Sequence, residues 1–264
     1  MNQLCVADLS VGYGHSVVAS GLTACLAGGE LTVLIGRNGM GKSTLLRTLA
    51  GVQPPLAGTV TLVADGTRQP LAELSQHARS RWISVVLTDR VEVPQLRVED
   101  VVGFGRMPYT GFFGRLGDAD RRMVDEALRL TGLQPLAGRQ VGTLSDGERQ
   151  KMMIAKALAQ QTPVVLLDEP TAFLDYPSKV DTMRLLRSLA HDTGKVIVLS
   201  THDLNLAVRL ADRLLTLGKG LVEVDKVVLG QRLESLLAHP EKAGELWDDT
   251  VPEADNASGP PVIP

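Results

Sequence analysis

Aromatic side chains are scarce in this sequence: two tryptophans, three tyrosines and four phenylalanines in 264 residues. Cysteine is scarcer, with only Cys5 and Cys25 and no CxxC or Cys/His spacing. No disulfide or metal site is expected of them, and the two thiols are read as reduced, in the core of a cytosolic protein. Neither charge predominates. The 27 basic and 30 acidic residues leave a net charge of −3, which supplies no basic footprint, so nucleic acid is not an expected partner. No apolar run approaches the roughly eighteen residues that a membrane-spanning helix needs. The opening "MNQLCVADLSVGYG" lacks the basic start and apolar stretch of a secretory leader. A soluble protein, or one held at a membrane by a partner, is therefore expected.

The remainder is an ordinary globular composition, 44% hydrophobic and 22% charged, in a chain long enough to bury a large core. The first thirty residues alternate as strands do, with turn signals at Gly12, Gly14, Gly28 and Gly29. "LTVLIG" (31–36), "WISVVLT" (82–88), "VVLLDE" (164–169) and "VIVLSTH" (196–202) read as short strands buried on both faces, and "GTVTLVADG" (58–66) as an alternating one. A helix is expected from Lys42 to Ala50, stopped by Gly51 and by Pro54 and Pro55. Helical signals fill 98–159, with Ala119, Met123, Ala127, Leu128 and Leu130 of "DADRRMVDEALRLTGL" near one stripe. Strands alternating with helices indicate an α/β fold with a largely parallel sheet and a helical insertion. The tail "DDTVPEADNASGPPVIP" (248–264) is acidic and proline-rich, with little to bury, and is expected to be mobile.

One stretch carries unusual chemistry. Gly36, Arg37, Asn38, Gly39, Met40, Gly41, Lys42, Ser43 and Thr44 fit the phosphate-loop pattern G-x-x-x-x-G-K-[ST], between a buried strand and a helix. Its backbone N–H groups can cradle a polyphosphate, Lys42 can reach the β- and γ-phosphates, and the Ser43 hydroxyl can ligate Mg²⁺. ATP with Mg²⁺ is the expected ligand pair.

A second strand ends in Asp168, Glu169 and Pro170. Two carboxylates at the tip of a central strand are costly unless they hold a metal or a proton. Asp168 is expected on Mg²⁺ and Glu169 as general base toward water. His202, closing another apolar strand, is a candidate γ-phosphate donor. Tyr13 could stack on an adenine ring or simply pack. "LSDGE" (144–148) opens a helix with a Ser145–Glu148 capping box, and Gly147 leaves the backbone approachable, which suits an anion.

Together these pieces resemble the ATP-binding-cassette ATPases over about residues 3–230: an aromatic loop at Tyr13, Walker A at 36–44, a signature at 144–148, Walker B at 164–169, a D-loop "AFLD" (172–175) ending in Asp175, and a switch histidine at His202. The resemblance implies a P-loop NTPase (RecA-like) core, an N-terminal antiparallel β subdomain and a helical subdomain at about 89–160. It places an ATPase domain at 1–230 and a C-terminal extension at 231–264. It further implies a head-to-tail homodimer in which Ser145 and Gly147 meet the γ-phosphate of the ATP held by the other subunit, with Asp175 at the dimer face.

The segment "VGFGRMPYTGFFGRLGDADRRMVDEAL" (102–128) resembles ATPases of iron-chelate importers, the group that handles siderophores, haem or cobalamin. That implies a transmembrane permease as partner, a substrate-binding protein acting indirectly, and a peripheral place on the cytoplasmic face of the plasma membrane. Phe104, Tyr109, Phe112 and Phe113 with Arg106 and Arg115 read either as the docking patch for that permease or as a buried mini-core. The breakers Gly103, Gly105, Pro108, Gly111 and Gly114 favour irregular surface. Two departures stand out. Thr88, before Asp89 and Arg90, replaces the Q-loop glutamine that reaches metal and water, and takes its metal-side place with a shorter side chain. Asp146 and Glu148 replace glycine and glutamine in the signature. A soluble cassette for iron–sulfur cluster assembly and a non-hydrolysing nucleotide-binding regulator are the alternative readings.

Overall fold

The computed structural model describes residues 1–88, 93–111, 114–218 and 220–238. A hairpin of β1 (Gln3–Tyr13) and β2 (Ser16–Ala27) leads to β3 (Leu31–Ile35), a glycine-rich loop and α1 (Lys42–Leu49). Next come β4 (Ala57–Ala64), β5 (Thr67–Pro70), α2 (Gln76–Arg79) and β6 (Ile83–Val86). Three helices follow: α3 (Val98–Gly103), α4 (Asp118–Leu130) and α5 (Asp146–Ala159). The chain ends its described part with β7 (Val164–Leu167), α6 (Tyr176–Thr193), β8 (Val196–Thr201), α7 (Leu204–Leu210), β9 (Arg213–Leu217), β10 (Leu221–Glu223) and α8 (Lys226–Ala238).

Two sheets result. An antiparallel one runs β2-β1-β4-β5, and a six-stranded one runs β10-β9-β3-β8-β7-β6, parallel from β9 to β6 with β10 antiparallel at its edge. The α/β fold with an N-terminal antiparallel unit and a helical insertion between β6 and β7 is as expected. The aliphatic runs serve both faces of the parallel sheet. Val33 and Ile35 of β3, Leu167 of β7 and Leu199 of β8 join the core against the helices. Leu34, Val164, Leu166 and Val198 join the core shared with α1 and the antiparallel sheet. Because β3, β8, β7 and β6 are parallel, all their carboxyl ends open on one edge, where ligands of such sheets bind.

Three expectations need correction. Cys5 and Cys25 form a disulfide, with Cα atoms 4.1 Å apart. They lie directly opposite one another on β1 and β2, and Cys25 is solvent-exposed rather than in the core. The pairing depends on a register shifted by irregularities between Val6 and Gly12, which cysteine spacing does not encode. The buried stripe of α4 is Val124, Ala127 and Leu128, whereas Ala119 is exposed. The segment after α3 is not irregular surface throughout. A 3₁₀ helix spans Phe104–Tyr109, and a Cβ on Gly105 would come within 2.2 Å of the Lys156 carbonyl, so this glycine is where the segment meets α5.

Arg106 shares that fate. Its side chain is 7% exposed and reaches inward, Nε to Asp120 Oδ1 at 3.0 Å and Nη1 to the Ala159 carbonyl at 2.7 Å, with the guanidinium 4.0 Å from the Tyr109 ring centroid. Phe104, Met107 and Tyr109 remain exposed. Phe112, Phe113, Asp89, Arg90 and the tail at 248–264 lie outside the described residues. The expected boundary at 230/231 falls inside α8, whose Leu229 is buried in the main core.

The Arg106 hydrogen bond holds the Asp120 carboxyl below its ordinary range, helped by the Gly117 N–H and opposed by desolvation. A depressed carboxyl stabilises the fold above its unfolded value of about 3.9 and loses that contribution as pH falls through the folded one. Asp120→Asn should therefore cost about 2 kcal/mol at neutral pH. Thermal melts against pH should show the gap to the parent closing below about pH 4.

Candidate active site

The loop between β3 and α1 turns through left-handed backbone at Gly36 (φ 152°), Gly39 (φ 86°) and Gly41 (φ 97°), values that side chains resist. A Cβ on Gly41 would lie 2.5 Å from Val18 Cγ1, so β2 forms the wall of this loop. Lys42 is 6% exposed, and its Nζ donates to the carbonyls of Gly36 (2.7 Å) and Arg37 (3.1 Å). Burial pulls its ammonium below the ordinary value, against the opposing fields of Glu169 and Asp168. Among the described residues it makes no ion pair within 4 Å. Arg37, Asn38 and Gly39 are exposed on the loop. Tyr13 Oη lies 3.2 Å from Thr44 Oγ1, which fixes this exposed ring beside the start of α1.

Asp168 and Glu169 follow β7 directly. Asp168 is 5% exposed, and its Oδ1 accepts from Ser43 Oγ (2.9 Å) and Ser200 Oγ (2.7 Å). Ser200 Oγ in turn accepts from the Glu169 N–H at 2.9 Å. Glu169 has φ 48°, and its Oε2 is 2.9 Å from His202 Nδ1. Thr88 Oγ1 donates to the Asp168 carbonyl at 2.9 Å. Hydrogen bonds thus tie the start of α1 to the ends of β6, β7 and β8.

The residues suit the expected ligands. A left-handed glycine loop and a buried ammonium that, among the described residues, bonds only to carbonyls match a polyphosphate. A hydroxyl and a carboxylate 2.9 Å apart are hard oxygen donors of the kind Mg²⁺ accepts. That ion keeps water and substrate phosphate in its shell rather than requiring a protein cage.

Ser145 and Gly147 stand apart from this cluster. The capping box forms, Ser145 N–H to Glu148 Oε2 at 2.8 Å and Glu148 N–H to Ser145 Oγ at 3.2 Å, and the Ser145 N–H bond lowers the Glu148 carboxyl. Among the described residues no hydrogen bond joins Ser145 or Gly147 to the phosphate loop. Asp175 caps α6 through the Ser178 N–H at 3.0 Å, and a Cβ on Gly147 would sit 3.1 Å from Ser178 Oγ. The starts of α5 and α6 therefore touch.

Sequence reasoning missed Ser200 and Val18. A serine inside the run "VIVLS" was the available signal, since a buried hydroxyl must find a partner. Nothing marks Val18 in an alternating, half-solvated strand.

The ABC transporter family model matches residues 19–172 of the chain. This chain belongs to the ABC transporter family. It is 38% identical over 223 residues to the iron(3+)-hydroxamate import ATP-binding protein of Bacillus subtilis, covering 84% of this chain and 81% of that one. The achromobactin transport ATP-binding protein of Dickeya dadantii is 41% identical over 209 residues, covering 78% and 76%. Among solved structures, a dimeric ATP-binding cassette in a post-hydrolysis state with ADP and phosphate aligns with a TM-score of 0.68 and 26% identity, over 83% of this chain and 97% of that one. The cassette described here is thus an ATPase of this family. Among the described residues no helix is long and apolar enough to cross a membrane.

Lys42→Ala removes the only ammonium in the phosphate loop. Calorimetric titration with ATP should show affinity reduced at least about tenfold; unchanged affinity would remove the loop from nucleotide binding.

Proposed function

We propose that this cassette is the ATP-hydrolysing subunit of an iron-chelate importer, working as a homodimer beneath a transmembrane permease on the cytoplasmic face of the membrane. A substrate-binding protein would reach it only through that permease. The observation that carries the ATPase chemistry is the Glu169–His202 pair beside Ser43, Asp168 and Lys42. The iron-chelate class is supported by relatives named for hydroxamate and achromobactin transport. Residues 1–230 would be the ATPase domain and 231–264 its extension.

Bound ATP and Mg²⁺ supply the polyphosphate to be cleaved and the charge that offsets it. The chain supplies the rest. The Lys42 ammonium and the N–H groups from Gly36 to Thr44 hold the β- and γ-phosphates, and Ser43 and Asp168 hold the metal. Tyr13 lies where an adenine could stack on its exposed face. Glu169, anchored at Oε2 by the His202 Nδ1–H, takes the proton from water as general base, and His202 orients that carboxylate.

The signature end at Ser145 and Gly147 carries the chemistry of a phosphate site, yet among the described residues no hydrogen bond joins it to the phosphate loop of its own chain. A partner copy would complete it in trans. Exposed Phe173 and Tyr176, flanking Asp175, suit that same face. For the permease, a shallow groove of about 170 Å³ lies between Asp100, Phe104, Met107, Thr110 and Leu116, rimmed by exposed Phe104 and Met107. An apolar helix end would fill it.

Two experiments test the reading. Glu169→Gln should bind ATP normally, turn over roughly 10²–10⁴-fold more slowly, and elute as an ATP-dependent dimer in size-exclusion chromatography. Near-normal turnover would remove Glu169 from the chemistry. Met107→Glu with Phe104→Ala should leave stability within about 1 kcal/mol, as exposed positions do. Basal ATPase should persist while co-purification with the permease is lost; retained association would defeat the groove assignment.

A further inference from the structure

The Asp168–Glu169 peptide is held at both of its polar ends by side chains from the two strands that flank β7. Its carbonyl accepts from Thr88 Oγ1 at 2.9 Å, just past the end of β6. Its N–H donates to Ser200 Oγ at 2.9 Å, on β8. The backbone ladder gives out at this point: the Asp168 N–H reaches the Val86 carbonyl at 2.8 Å, and the next rung is a hydroxyl. We propose that Thr88 and Ser200 form a clamp on this peptide, and that Thr88 is a positioning residue for Glu169 through the backbone.

The polarity of the clamp is fixed. Ser200 gives its proton to Asp168 Oδ1 at 2.7 Å, so toward Glu169 it can only accept. The Asp168 carbonyl can only accept, so Thr88 must donate. The peptide plane therefore has one orientation in which all three bonds exist. That orientation sets Glu169 at φ 48°, a left-handed value that a glutamate leaves unless its surroundings over-determine it. The twist turns the side chain to His202, 2.9 Å from Oε2.

A hydroxyl is short enough to bond at the strand end, where a longer amide would reach past it. Thr88 thus acts on the backbone of the base, with its proton committed to the Asp168 carbonyl. Without it, Ser200 alone holds the peptide and shares its oxygen with the Asp168 carboxylate.

This inference rests on Glu169 as the general base. The test uses the purified full chain and compares Thr88→Val, which keeps the shape and loses the donor, with Thr88→Ser, which keeps the donor. Thr88→Val should lower kcat roughly 10–10²-fold, the scale of a misplaced catalytic group. ATP affinity by calorimetry and the Mg²⁺ concentration for half-maximal activity should stay at parental values. Thr88→Ser should restore kcat to within about threefold, the range left when the donor remains. In the nucleotide-free protein, amide exchange at Glu169 should quicken in Thr88→Val and not in Thr88→Ser. Thr88→Ala lacks the donor without adding bulk and must show the same kcat loss if Thr88→Val folds poorly. Parental kcat in either donor-free variant overturns the clamp, as does a raised Mg²⁺ requirement with parental kcat at saturation. Glu169→Gln run alongside separates the two claims, because parental turnover there defeats the base assignment itself.

Discussion

Asp168 ends an all-aliphatic strand with its carboxylate almost wholly withdrawn from water, and a charge so placed has to be met from several directions at once. Ser43 meets it from the start of α1 and Ser200 from β8, while Lys42 and Glu169 share its field. These contacts bring the start of α1 and the carboxyl ends of β7 and β8 to a common point. The parallel order of the sheet makes that possible, since it brings every such end to the same edge. The site's geometry follows from keeping one buried anion satisfied.

The helical insertion is held together by close packing and by a buried ion pair. Arg106 ties the 3₁₀ segment to Asp120 on α4 and to the last turn of α5, and Gly105 allows the backbones to meet. At its other end α5 starts against α6, with Gly147 beside Ser178 and Asp175 capping the helix that carries it. The exposed Phe104–Met107 rim and the Ser145–Gly147 end thus lie at opposite ends of α5.

Much of this was readable in the sequence because it rests on local rules. The strand–loop–helix of residues 31–49, the Ser145–Glu148 box and the apolar runs ending in Asp168 and His202 each follow from spacing, and each lies where expected. Long-range register was not readable. Two cysteines twenty residues apart give no sign of facing each other across a bulged hairpin. The glycines around Phe104 have the same composition whether they mark loose surface or tight packing, and Gly105 turned out to be packed.

The sequence alone pointed to the class of ligand: a glycine loop with Lys42 and Ser43 between a buried strand and a helix is built to hold a nucleotide polyphosphate. It also determined the alternation of strands and helices, because burial on both faces of a parallel sheet demands unbroken aliphatic runs. Only the tertiary structure decided which polar atoms meet at the strand ends. Thr88 is marked in sequence only as a departure from the Q-loop glutamine and Ser200 only as a serine inside an apolar run, and more than a hundred positions separate them. They reach opposite ends of one peptide because β6 and β8 flank β7 in the sheet, and hydrogen bonds act only over the few ångströms that such an arrangement provides.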